Sequence, residues 1–192
     1  VRSAVAELLA DLAAALEDAR TRWYLFGAQA VILYGVPRLT ADVDVTVELG
    51  ARPTAGLVTA LEHRRFELRV PDAQGFVERT RVLPLVHAPS RIPVDAVLAG
   101  PGIEEIFLDR AVVHRVEGVS VRCAAADDLV AMKILAGRPK DLDDVAAILS
   151  VQGAALDARR ARETVGLLER ALDRADLLPT FDQLLARARR PG

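Results

Sequence analysis

The sequence predicts an α/β chain of the α+β kind, a mixed sheet with flanking helices that gives way to a C-terminal helical region, and three observations carry the prediction. A short aromatic-apolar run, Trp23–Phe26, stops at Gly27 and is followed by a helical pattern and then by an acidic, β-branched strand ending at Glu48. Further strand-like runs follow at 79–87, 91–98, 112–116 and 119–122. From Ala125 onward the pattern is helical. A boundary near Ala124 therefore divides the chain into residues 1–124, the α/β core, and residues 125–192, a helical region expected to pack on that core.

Taken in order, Val1–Arg20 is rich in Ala and Leu but carries Glu7, Asp11, Glu17 and Asp18, charges that no secretory apolar segment tolerates, so it reads as an amphipathic helix. Ala28–Tyr34 reads as a helix stopped by Gly35 and Pro37. Pro53–Arg65 suits a helix with proline near its first turn, and Gly102–Asp109 a short one. The runs 79–87 and 91–98 read as strands around Ala88-Pro89-Ser90, while Glu117-Gly118 supplies a hairpin turn between the last two strands. In the helical part, Asp127 and Asp128 fall in the first turn of a helix closed by Gly137, where acidic groups complement the dipole. Pro139 opens the next helix, to about Val151, and two more are expected at 158–174 and 181–189.

Composition sets outer bounds. With 192 residues the chain is long enough for one α/β domain with a sizeable core. No apolar run approaches the roughly 18–20 residues that cross a bilayer, so a soluble protein without a membrane partner is expected. Cys123 is the single cysteine, which excludes an intrachain disulfide and a thiolate zinc site and favours a reducing, cytoplasmic setting. The formal net charge of -2 gives no bulk attraction for nucleic acid. His63, His87 and His114 lack metal-ligand spacing, and the sequence contains no P-loop and no recognisable Ser-His-Asp set.

Chemistry concentrates in Arg38-Leu-Thr-Ala-Asp-Val-Asp-Val-Thr-Val-Glu48. Residues two apart on a strand share a face, so Asp42 and Asp44 project together while Val43, Val45 and Val47 enter the core. Two carboxylates this close call for a cation or a basic partner between them, and a hard ion such as Mg2+ is the simplest answer. Asp95, in the apolar strand around Ile92-Pro-Val-Asp-Ala-Val-Leu98, also needs a partner: either a metal or an arginine such as Arg91 or Arg38. Lys133 is the one charge in Leu129–Leu135 and either reaches along its stem to solvent or enters a polar cleft. Lys140 and Asp144 form an exposed helix pair or part of a site, and Asp141 with Asp144 shares a face that can orient Lys133. Arg38 is a phosphate contact or a counter-ion for Asp42. Arg64, Arg65, Arg159, Arg160 and Arg162 read as solvated faces, and Trp23, Phe26 and Tyr34 as core rather than base-stacking positions.

In their order, Phe26-Gly27-Ala28, thirteen intervening residues, Asp42-Val-Asp44, and then Val94-Asp95-Ala96 resemble the nucleotidyltransferase superfamily with its DNA-polymerase-β-like fold. Tyr34-Gly35, Arg38, Thr40, Lys133 and Gly137-Arg-Pro-Lys-Asp-Leu-Asp-Asp144 look more specifically like the AbiEii-like nucleotidyltransferases of bacterial type IV toxin–antitoxin systems and their relatives. The pattern departs at Ala28-Gln29, where such enzymes carry a second Gly or a Ser that helps to hold the nucleotide.

The resemblance implies an enzyme that moves a nucleoside monophosphate from a nucleoside triphosphate (NTP) to an acceptor hydroxyl. Asp42 and Asp44 would bind Mg2+ carrying the nucleotide, and Asp95 a second ion or the hydroxyl proton. Gly27 and Ala28, Arg38, Thr40, Lys133, Lys140 and Asp141 are the implied nucleotide contacts, with Lys133 and Lys140 near the leaving phosphates. The acceptor would be RNA such as tRNA, or protein, with a cognate antitoxin as partner. Related folds act on small-molecule antibiotics, and a degenerate member serving only as a binding protein is the reading that Ala28-Gln29 suggests.

Overall fold

The computed structural model describes residues 2–189; Val1, at the start of the first predicted helix, and 190–192, at the end of the second predicted domain, lie outside the described residues. Contacts divide the chain into two units: one holds the chain through Gln29 together with Leu39–Ala124, the other Ala30–Arg38 together with the chain from Ala125 onward. The first unit begins with helix α1 (Ala4–Asp18), capped by the Ser3 hydroxyl, which accepts a hydrogen bond from the Ala6 amide at 3.2 Å. Strand β1 (Arg22–Phe26) leads into α2 (Gly27–Leu33), and β2 (Val43–Glu48) and α3 (Thr54–His63) follow. Then come β3 (Phe66–Leu68), α4 (Ala73–Thr80), β4 (Val82–His87), β5 (Pro93–Leu98), α5 (Ile103–Arg110), β6 (Val112–Val116) and β7 (Val119–Cys123).

All seven strands join one mixed sheet in the order β3-β4-β5-β2-β1-β7-β6. Strand β2 lies at its centre, antiparallel to β1 and parallel to β5. Its composition explains the position: Val43, Val45 and Val47 are fully buried, as is Val94 beside them on β5, the pattern of a strand with a covered face. Helix α1 packs on α3 and β7 through the stripe Leu8, Leu9, Leu12 and Leu16, spaced for one face of a helix. Glu117 and Gly118 both have positive φ, 47° and 84°, the backbone that a two-residue hairpin turn requires.

Two elements go beyond the sequence reading, which carried a strand from residue 79. Residues 79 and 80 instead end α4, whose Asp72 side chain caps the Gly75 amide at 2.9 Å, and left-handed Arg81 (φ 58°) redirects the chain into β4. Strand β3 has only three residues, too few for a period to register. Folding also builds a contact chain with no counterpart in the sequence spacing. Fully buried His87 bonds Ser90 Oγ through Nδ1 at 2.8 Å and Asp11 Oδ2 through Nε2 at 2.9 Å, while Arg65 holds the same Asp11 oxygen at 2.6 Å. Centred on the buried ring and shared with Arg65, these contacts tie α1 to the β4–β5 turn.

The second unit is helical. Residues 30–38 join α6 (Ala126–Ala136), α7 (Pro139–Gln152), α8 (Ala158–Ala171) and α9 (Leu177–Ala188), with a one-turn 3-10 helix at Gly153–Ala155. Helix α6 packs on α7 and α8, and the Tyr34 carbonyl accepts a hydrogen bond from the Gln152 side chain at 2.8 Å. Helix α9 starts four residues before its predicted Phe181, because Pro179 falls in its first turn, where its missing N–H costs nothing. Helix α8 ends at Ala171, not at 174. Among the described residues no helix is long and apolar enough to cross a membrane.

Candidate active site

One row of residues across the sheet of the first unit gathers the chemistry. Phe26 on β1 faces Asp44 on β2, Asp44 faces Asp95 on β5, and Asp95 faces Pro84 on β4. Residues in register on neighbouring strands share a face, so Asp44 and Asp95 project side by side although 51 positions separate them in the chain. Both are half-buried.

Glycine at position 27 follows from this row. It sits directly after Phe26, with φ +67°, and a Cβ there would stand 2.8 Å from Asp44 Cγ, 3.0 Å from its Cβ and nearer still to Oδ2. The Asp44 carboxylate thus occupies the space that any larger residue would claim. That close approach, together with the left-handed backbone, fixes the residue type. Ala28 follows as a half-buried residue of α2, a helix of seven residues, and Gln29 is buried.

Asp42 is placed differently from the sequence expectation. Strand β2 begins only at Val43, so Asp42 lies just outside it and is exposed. The cause is local: the Thr40 hydroxyl bonds Asp42 Oδ1 at 2.8 Å and the Asp42 carbonyl at 3.2 Å, forming a side-chain turn in place of the strand ladder. Thr40 is therefore tied to the Asp-x-Asp motif through its first carboxylate.

For Asp95 the two arginines suggested by sequence are both superseded. Its partner is Arg69, whose Nη2 contacts Asp95 Oδ1, with the two side chains 37% and 38% exposed. Arg69 follows β3, and its amide donates to the Pro84 carbonyl at 3.0 Å, so the arginine reaches Asp95 across the strand that carries the short Pro84 ring. Nothing in the sequence singles it out, because the adjacency depends on sheet order.

Oxygen donors of this kind suit a hard divalent cation. Two observations favour such an ion in the first unit: two carboxylates in register beside a glycine whose missing Cβ makes room for one of them. Among the described residues, no group of three or more His, Cys, Asp or Glu side chains is already drawn together as a ligand set.

The remaining predicted contacts lie in the second unit and form a cluster of their own. Lys133, 7% exposed, places its ammonium 3.0 Å from Asp141 Oδ1 and 2.7 Å from Asp144 Oδ2, carboxylates that are 1% and 8% exposed. It does not reach to solvent. Arg38 pairs with Asp144, not Asp42, and Arg138 pairs with Asp141. Burial acts to raise the Asp141 carboxyl, but hydrogen bonds from Arg138 and Lys133 outweigh it and hold the group below the ordinary value of 3.8. Lys140 is exposed, and the ion pairs of Asp144 are with Lys133 and Arg38 rather than with it. The arginines read as solvated faces are ion-paired: Arg64 to Asp18, Arg159 to Glu163, Arg160 to Asp127 and Arg162 to Asp182. Trp23 and Tyr34 are buried.

No protein-family model matches the chain, and no curated protein sequence does. Solved structures do. The antibiotic-resistance factor ANT(2'')-Ia, in solution, superimposes with a TM-score of 0.59 at 13% identity over 88% of this chain and 92% of that one. The crystal structure of ANT(2'')-Ia with adenylyl-2''-tobramycin gives 0.60 at 13% identity, covering 88% of this chain and 99% of that one. An antigenic nucleotidyltransferase-like protein from Paracoccidioides brasiliensis gives 0.55 at 17% identity and 94% coverage of both chains. The mixed sheet with flanking helices is thus the nucleotidyltransferase fold, as the sequence predicted.

Proposed function

We propose that this chain is a Mg2+-dependent nucleotidyltransferase that moves a nucleoside monophosphate from an NTP to an acceptor hydroxyl. The observation that carries the reading is the register of Asp44 and Asp95 on adjacent parallel strands, beside a glycine shaped to the Asp44 carboxylate. Asp42, Asp44 and Asp95 would hold a pair of Mg2+ ions, whose contribution would be neutralisation of phosphate charge and orientation of the attacking and leaving oxygens.

The protein's own share is positioning. Gly27 keeps the end of β1 close to Asp44, Thr40 holds Asp42 at the mouth of β2, and Asp95 on β5 would bind the second ion or accept the hydroxyl proton as the acceptor oxygen attacks the α-phosphorus and pyrophosphate leaves. Arg38 and Lys133 are joined through Asp144, Lys133 also binds Asp141, and Lys140 is exposed, so the residues that support the reading are those of the first unit.

RNA such as tRNA, or protein, is the acceptor that the AbiEii-like pattern supports, with the chain as the toxin of a toxin–antitoxin pair in the cytoplasm. A second reading has its own observation: ANT(2'')-Ia, similar in fold, is solved with adenylyl-2''-tobramycin, which favours a small antibiotic as acceptor. Incubating the protein with each labelled NTP and Mg2+, in separate reactions with total RNA, total protein and aminoglycosides, distinguishes them. Label should enter one class of acceptor and be lost in Asp42→Ala and Asp44→Ala. Equal labelling by the variants sinks the catalytic assignment, and calorimetry showing no metal-dependent NTP binding would favour a fold retained only for partner binding, as Ala28-Gln29 suggests.

A further inference from the structure

The ion pair between Arg69 and Asp95 is not explained by the need to hold the sheet together. The Arg69 backbone is already fixed by its amide bond to the Pro84 carbonyl at 3.0 Å, directly after the β3–β4 ladder that pairs Leu68 with Leu85. With side chains 37% and 38% exposed, the pair is solvated enough to add little to stability. Its effect falls on the charge of Asp95. Asp44 and Asp95 stand in register, and two neighbouring carboxylates repel unless positive charge is supplied. The guanidinium supplies it from the β4 side of the row, across Pro84.

We infer that Arg69 is a positioning residue that competes with the divalent ion for Asp95, so that loading the metal is an exchange of one cation for another. The inference rests on the reading that Asp95 is a metal ligand. Arg69 engages Asp95 Oδ1 and so lowers the affinity of Asp95 for the metal. A guanidinium cannot leave the neighbourhood entirely, because the Arg69 amide stays bonded to Pro84. It therefore also repels the incoming ion, and both effects act in the same direction.

The test is titration of the full chain with Mn2+ alone, read by the loss of the free-ion spectroscopic signal and, separately, by the rise in the urea midpoint that bound metal produces. Arg69→Gln should tighten Mn2+ binding roughly tenfold, about 1.4 kcal/mol. Arg69→Met, which keeps the apolar stem, should agree with it, and Arg69→Lys, which keeps the charge, should stay near the wild-type affinity. In an Asp95→Asn background, Arg69→Gln should tighten Mn2+ binding clearly less than it does in the wild type, because only the direct repulsion of the ion is left to remove. Urea midpoints without metal establish that each variant is folded. If Arg69→Gln and Arg69→Met leave Mn2+ affinity unchanged or weaken it while Asp95→Asn lowers it, the competition is wrong and the proposed metal site stands. If neither the wild type nor the Arg69 variants bind Mn2+ and none labels an acceptor, the competition and the proposed function fall together.

Discussion

Replacing Gly27 by alanine should show how tightly the end of β1 is fitted to Asp44. Two costs add. Alanine at φ +67° occupies the left-handed region, at about 1–2 kcal/mol. Its Cβ would also stand 2.8 Å from Asp44 Cγ, well inside the roughly 3.5–4.0 Å of a comfortable carbon contact, and relieving such overpacking costs about 1–3 kcal/mol. Gly27→Ala should therefore lose about 2–5 kcal/mol by urea denaturation. In an Asp44→Ala background the Cγ and both oxygens are gone, and the nearest remaining atom is the Cβ of residue 44 at 3.0 Å. One close contact is then left in place of three, so the same substitution should cost less than in the wild type, though still more than the backbone term of about 1–2 kcal/mol. The difference between the two backgrounds, on the order of 1 kcal/mol, isolates the carboxylate contact. Metal-dependent NTP binding by the single Gly27→Ala variant should fall with it, since the carboxylate must swing away. Equal cost in both backgrounds would refute the argument, because the glycine would then be required by its φ alone.

Lys133→Met leaves two buried carboxylates with less countercharge, so it should lower the unfolding free energy by about 3–5 kcal/mol in urea titration, and a loss below 1 would show that Arg38 and Arg138 suffice. The Asp141 carboxyl is held below 3.8 in the folded chain, so the unfolded chain takes up that proton first: the stability it confers is complete above 3.8 and drains away as pH falls through the folded value. Urea midpoints measured from pH 5 downward should accordingly fall less steeply in Asp141→Asn than in the wild type, and parallel curves would contradict the assignment. His87→Ala removes a fully buried ring that bonds Asp11 and Ser90 and packs at a tilt against Phe66, with ring centroids 5.1 Å apart, and should cost about 3 kcal/mol, with a neutral result in calorimetric melting excluding a structural role.

What the sequence disclosed and what it withheld differ in physical kind. The central strands were legible because Val43, Val45 and Val47 alternate with polar residues, and the hairpin because Glu117-Gly118 tolerates two positive φ values. The carboxylates of the row were legible as residues, but their pairing was not, because Asp44 meets Asp95 only through the order of strands. The same reason hid Arg69, which depends on β3 lying beside β4 and β4 beside β5. Helix α4 did leave a signal, Asp72 three residues before the Gly75 amide it caps, but its short span and weak apolar pattern masked it. Lys133 could be recognised as an odd charge in an apolar helix and Asp141 with Asp144 as a face able to orient it, while the choice between that face and solvent required the packing of α6 against α7. The grouping of residues 30–38 with the C-terminal helices likewise lies in tertiary contacts and in no local pattern.

The parallel register of β2 and β5 has a bearing on how errors in folding are rejected. Successive side chains on β5 alternate between faces, with Val94, Ala96 and Leu98 buried and Asp95 between them half-exposed. A slip of β5 by a single position would drive the Asp95 carboxylate into the apolar layer and turn Val94, Ala96 and Leu98 out of it, so mispaired chains carry a heavy electrostatic penalty before any chemistry is possible. The residues offered here as reactive groups thus also act as alignment marks, and a chain that has reached the folded state has by that fact brought them into line.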